Sequence, residues 1–199
     1  MLSCKDFFLD YNKKLSEVLK NYHYDEIEKI TKFLETSIKT KKKIFVCGNG
    51  GSASIANHFL CDFNKGIKIS SSKRVIPQII SLTNSIELIT AIANDINFNE
   101  IFASQLENYA KKNDILIVIS SSGKSKNIIN AVKFAKKNKL KIISLIGFSE
   151  NQYLKKLSEH YINLNTKNYG ITEDIFQSIM HMISQYLKLK NNRSKSEIL

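Results

Sequence analysis

Asp114-Ile115-Leu116-Ile117-Val118-Ile119-Ser120-Ser121-Ser122-Gly123-Lys124-Ser125 is the stretch that decides the fold. The apolar run Asp114–Ile119 has strand length and no polar face, so it reads as a strand buried on both sides, the mark of a parallel sheet. Small polar residues then stop the strand, and a helix follows, marked by Ile128, Ala131, Val132 and Ala135 at helical spacing. The same strand–loop–helix pattern occurs upstream. Ile44-Phe45-Val46-Cys47 runs into Gly48-Asn49-Gly50-Gly51-Ser52, and the next helical stretch carries Ile55, Phe59 and Phe63.

Outward from these two units, Val75–Leu82, Lys141–Ile146 and the weaker His160–Leu164 read as further strands, with a polar loop at Ser70–Lys73. Helical patterns fall around Ile86–Ala93, Phe98–Tyr109 and Tyr153–Leu157, and a long one runs from about Thr172 to Leu189. At the front, Phe8, Tyr11, Leu15 and Leu19 mark one amphipathic helix. Ile27, Ile30, Leu34 and Ile38 mark a second, after a break near Asn21–Tyr24. Strands alternating with helices predict an α/β fold with five strands, mostly parallel and covered on both faces, plus an N-terminal helical pair. No repeat or linker interrupts it. The expectation is one domain over residues 1–199, with N-terminal helices at 4–40, an αβα core at 43–189 and a polar tail at 190–199.

Composition narrows the class. In 199 residues, 43% are hydrophobic, enough for a full core, and one proline and seven glycines exclude collagen-like or low-complexity chains. The apolar runs are strand-sized, short of the ~18–20 residues of a membrane span, and the N-terminus lacks the apolar core of a secretory signal. Cys4, Cys47 and Cys61 form an odd set without CxxC spacing, which fits a reducing cytoplasm. The net charge of +12 raises a nucleic-acid partner. The lysines, however, are scattered, with local clusters at Lys39–Lys43 and Lys133–Lys141, and read as solvating helix faces. The expectation is no nucleic acid and no membrane; the positive field suits a phosphorylated small molecule equally well.

Two loops are built for anions. Gly48–Ser52 and Ser120–Ser125 each lead from a strand end into a helix, where unpaired backbone N–H groups and the helix dipole favour negative charge. Small residues let a phosphate approach, and the serines add donors. Tight packing without any ligand is the competing explanation for one such turn; two of them, one with four serines in six residues, favour phosphate. Neither nucleotide motif is complete. Gly48-x-Gly50-x-x-Ala53 fits the dinucleotide fingerprint, but Ser81-Leu82-Thr83-Asn84 stands where its ribose-binding acid belongs. Gly123-Lys124-Ser125 ends like a phosphate-binding P-loop, but Val118 stands where that motif needs glycine.

Taken together, Gly48-Asn49-Gly50-Gly51-Ser52, Ala93-Asn94-Asp95 with Phe98-Asn99-x-x-Phe102, and Ser120–Ser125 come in an order that resembles the SIS (sugar isomerase) domain superfamily, and within it the phosphoheptose isomerase family. The resemblance spans about Ile44 to Leu189. It implies a flavodoxin-like three-layer αβα fold and a homotetramer with active sites at subunit interfaces. The implied activity is aldose–ketose isomerisation of sedoheptulose 7-phosphate, feeding nucleotide-activated heptose for lipopolysaccharide or capsule. It implies substrate and phosphate binding by Asn49, Gly50, Gly51, Ser52, Ser120, Ser121, Ser122 and Ser125, with Asn94 and Asp95 near the sugar. An isomerase of another sugar phosphate, or a sugar-phosphate-binding regulator without catalysis, are the other readings of the same resemblance.

His58 and Asp62 are four apart on one helix, and Glu173 and His181 are eight apart on the last, so each pair shares a face. By itself HxxxD on a helix is common by chance, and His23 and His160 are read as surface or satisfied histidines. The resemblance gives the other two weight, because the family holds His, Glu, Gln and His at these four positions. It thereby implies one zinc ion per subunit on His58, Asp62, Glu173 and His181, with Asp62, His181 and Glu173 as the proton-transfer candidates. This chain departs twice, with aspartate for glutamate at 62 and glutamate for glutamine at 173, so the base is Asp62 or Glu173. The resemblance favours Asp62. Cys61 is expected to face the core, and Cys47 to be a buried strand residue.

Overall fold

The structure is a computed structural model that describes residues 3–21, 24–67, 76–148 and 152–191. Five strands form one sheet: β1 Lys43–Gly48, β2 Gln78–Ser81, β3 Ile115–Ser120, β4 Lys141–Ile146 and β5 His160–Asn163. Their order is β2-β1-β3-β4-β5 and every pairing is parallel. The chain leaves β1 to one side and returns past it to β3 on the other. That reversal opens a crevice beyond the carboxyl ends of β1 and β3, where doubly wound sheets take ligands. Both anion loops of the sequence end there.

Side-chain alternation fills the two faces. Ile44 and Val46 of β1 and Ile115, Ile117 and Ile119 of β3 join one core cluster, while Phe45, Cys47, Leu116 and Val118 join the other. The first cluster is completed by α2 (Tyr24–Lys39), α3 (Gly51–Cys61) and α8 (Tyr169–Asn191). The second is covered by α5 (Ala103–Tyr109), α6 (Lys126–Lys137) and α7 (Gln152–Leu157), with α4 (Ile86–Asp95) at its margin. All six residues of β3 are buried, as its unbroken apolar run requires. The two front helices divide their roles. Helix α2 belongs to the core layer, while α1 (Cys4–Lys20) buries no residue fully and lays Tyr11, Leu15, Val18 and Leu19 against that layer from outside.

Several boundaries differ from the sequence reading. Residues 68–75 lie outside the described residues, as do His23, the Ser70–Lys73 loop and residues 192–199. Within the described part, β2 begins only at Gln78, directly after Pro77, whose nitrogen cannot donate to a ladder. The Phe98–Tyr109 pattern divides into a 3-10 turn at Phe98–Glu100 and helix α5. Helix α8 starts at Tyr169, before the expected Thr172, and ends at Asn191, inside the expected polar tail. Helix α3 continues as a π-helical turn over Asp62–Ile67, a wider winding often found where a helix carries a functional site. Cys61 is exposed, contrary to expectation, because Phe59 and Phe63 take the core side of that helix. Cys47 is buried as expected, and burial pushes its thiol pKa up. His160 is a satisfied structural residue, its Nδ1 2.8 Å from the Glu26 carboxylate, joining β5 to α2.

Candidate active site

The first loop is shaped by its glycines. Gly50 takes φ +55°, a left-handed conformation that side chains disfavour, and so turns the chain from β1 into α3. A Cβ at Gly51 would meet the Glu173 carboxylate arriving from α8, which would have to swing aside. Asn49 exchanges two amide hydrogen bonds with Asn127, both 2.9 Å, and Asn127 also accepts from the Ile128 N–H. Asn49 is thus a clamp between the two anion loops. No spacing in the sequence marks Asn127, a lone asparagine in the first turn of a helix.

The second loop closes on itself through Ser120 Oγ, which accepts from the Gly123 N–H at 3.1 Å, and Ser122 Oγ, which accepts from the Lys124 N–H at 3.3 Å. Ser125 is the N-cap residue of α6, yet its hydroxyl makes no capping bond. Ser121 Oγ is buried and has no hydrogen-bond partner. An orphaned buried hydroxyl costs about 1–3 kcal/mol, so it marks a place where a ligand atom belongs. These groups face a cleft of about 150 Å³ lined by Asn49, Ser52, Ser120, Ser121, Ser122 and Ser125 together with Ile119, Tyr169 and Glu173. Asn94 and Asp95 stand apart from it. They sit exposed at the end of α4, where Asn94 donates to Asp95 at 2.8 Å.

Along the same two helices, α3 and α8, a second group converges. His58 Nε2 lies 3.4 Å from Asp62 Oδ1, His181 Nε2 lies 3.6 Å from Asp62 Oδ2, and the two imidazole nitrogens are 3.3 Å apart. One ligand atom from each residue fits within 4.8 Å of the others, so two imidazoles and a carboxylate share one centre. Such a nitrogen and oxygen donor set suits zinc or a similar divalent ion. Among the described residues Glu173 is outside this group; its carboxylate is committed to the Gly51 end of the helix pair. Two unexpected residues complete the surroundings. Gln177 places an amide nitrogen 2.9 Å from His181 Nε2, and the Ser184 hydroxyl donates to Asp62 Oδ2 at 3.3 Å. Both lie three or four residues from His181, a spacing that would have found them had it been applied to that histidine.

Near the start of α8, Tyr11 of α1 donates to the Asp174 carboxylate at 2.6 Å. That bond, then burial and the negative charges of Asp174 and Glu173, hold its phenol at a pKa of about 12.

Comparison with known proteins agrees with this fold. The SIS domain family profile matches residues 6–147. A phosphoheptose isomerase of Helicobacter pylori is 39% identical over 143 residues, 72% of either chain. A probable phosphoheptose isomerase of Thermoplasma acidophilum is 33% identical over 178 residues, covering 88% of this chain and 96% of its own. The solved phosphoheptose isomerase of Francisella tularensis superposes with a TM-score of 0.82 at 26% identity, over 94% of this chain and 98% of that one. The chain therefore belongs to the SIS domain family and, within it, to the phosphoheptose isomerases.

Proposed function

We propose that the protein is an aldose–ketose isomerase that converts sedoheptulose 7-phosphate to glycero-manno-heptose 7-phosphate. The observation that carries this is the sharing of α3 and α8 by the two sites. Gly51 and Glu173 meet beside the serine cleft, and His58 and His181 meet seven or eight residues further along. At ~1.5 Å per residue the two levels are roughly 10 Å apart. A phosphate held at the cleft would leave the far carbons of a long sugar at the imidazole–carboxylate group.

The reaction moves hydrogen within one molecule, so no oxidant or reductant is needed. A base takes a proton from C1 of the ketose, the C1–H electrons form the C1–C2 double bond of an enediol, and a proton returns to C2 as the carbonyl shifts to C1. Asp62 is the base, as its carboxylate sits between both imidazoles and accepts from Ser184. With no ion on its Nε2, His181 carries the proton between the two enediol oxygens. A divalent ion on His58, Asp62 and His181 would supply positive charge for those oxygens. Ser120, Ser121, Ser122 and Ser125, with Ser52 and the Gly50–Gly51 turn, bind the phosphate, so remote binding energy positions the reacting carbons. Glu173, at the cleft wall, is placed to accept from sugar hydroxyls.

This reading carries with it a homotetramer whose sites lie at subunit interfaces, where Asn94 and Asp95 would serve a neighbouring subunit. It also implies a cytoplasmic enzyme, one zinc per subunit and a product destined for nucleotide-activated heptose in lipopolysaccharide or capsule. Among the described residues no helix is long and apolar enough to cross a membrane. The test is incubation with five-, six- and seven-carbon ketose phosphates and identification of the products. The seven-carbon substrate should be turned over fastest, to the matching aldose. Faster conversion of a shorter ketose would reassign the substrate, and no conversion of any would favour a binding protein.

A further inference from the structure

His58, Asp62 and His181 supply three protein donors, one fewer than a four-coordinate zinc site takes. The family pattern points to residue 173, two helical turns before His181. In an α-helix, eight residues rise about 12 Å, and every Cα–Cβ bond tilts toward the N-terminus. The Glu173 side chain therefore leans away from His181, and its carboxylate comes to rest where Gly51 leaves space for it. His181 leans back in the same sense, toward the residue one turn before it. That residue is Gln177, half-buried, with an amide nitrogen 2.9 Å from His181 Nε2.

We infer that Gln177, in place of Glu173, is the fourth protein donor of the cation site, joining His58, Asp62 and His181. A half-turn of the amide exchanges its nitrogen for its oxygen, which turns the same contact into an oxygen donor. The donor set becomes two imidazoles, one carboxylate and one neutral amide, four groups of the kinds that hold zinc. The family's neutral amide is thus kept but moved one helical turn, and the negative charge at 173 is free to face the sugar cleft. This inference rests on the cation reading of the three-residue group.

The test is zinc affinity by competition with a chromophoric chelator, together with the visible spectrum of the cobalt-substituted protein. Neither readout requires turnover. Gln177→Ala should weaken zinc binding at least about tenfold and change the cobalt d–d bands, while Gln177→Glu, which keeps an oxygen at that place, should restore most of the affinity. Glu173→Ala should leave zinc affinity within about twofold and the cobalt spectrum unchanged. Zinc loss in Glu173→Ala with retention in Gln177→Ala would overturn the assignment, as would equal affinity and spectra in all variants. A wild-type protein that takes up no zinc would instead remove the cation reading itself.

Discussion

At the scale of single residues, function is separated from stability by the hydroxyl of Ser121. It is buried without a partner, so removing it relieves an unmet hydrogen bond in the free protein and deletes a donor to the ligand. Ser121→Ala should keep or raise the thermal midpoint while weakening sugar-phosphate binding; loss of stability with unchanged binding would make it a structural residue. Ser122→Ala and Ser125→Ala should each cost about 1–3 kcal/mol of substrate binding, read as Kd, the scale of a hydrogen bond to a charged group. The serine loop was legible in the sequence because it joins a strand end to a helix, and the two histidines were legible only through the family resemblance. Asn127, Gln177 and Ser184 were not, since each acts through one contact that only the packing of α3, α6 and α8 creates. The role of Asn49 was legible only in part, for its amide clamps the two loops together.

At the scale of elements, the period-2 filling of both sheet faces and the helical spacing of apolar residues made the strands and helices readable in order. What escaped was local. The π-turn at Asp62–Ile67 has no propensity signature, and it begins at the residue whose side chain is one methylene shorter than the family's glutamate. Phe59 and Phe63, with ring centroids 4.0 Å apart, anchor the helix that carries His58 and Asp62. Phe59→Ala should cost about 3–5 kcal/mol in chemical denaturation, as a large cavity under α3. Helix α1 is held differently, by the Tyr11–Asp174 bond over the start of α8. That phenol is raised from 10.0 to about 12 by its hydrogen bond, burial and nearby carboxylates. A raised pKa means a contribution complete below the ordinary value and lost as pH climbs through the folded one. Between those two pH values wild type should therefore lose thermal stability more steeply than Tyr11→Phe; parallel curves would show that the latch contributes nothing.

At the scale of the whole molecule, a switch-point crevice in the sheet gathers two anion loops at one end of a helix pair, and the pair carries proton-transfer groups along its length. Alternating strands and helices fixed a mostly parallel sheet covered on both faces, and the flavodoxin-like order came from the resemblance to the SIS family. The separation of Glu173 from the histidines was not predictable, because sequence spacing fixes a helical face and not the level at which a side chain ends. The central claim is proton abstraction at C1 by Asp62, and solvent exchange reads it directly. In deuterium oxide, wild type should place deuterium at C1 of recovered sedoheptulose 7-phosphate. Asp62→Asn should slow that exchange by ~10²–10⁴-fold with substrate affinity retained, while Glu173→Gln exchanges near the wild-type rate. Exchange at full rate in Asp62→Asn, with its loss in Glu173→Gln, would contradict the account and move the base to the cleft wall.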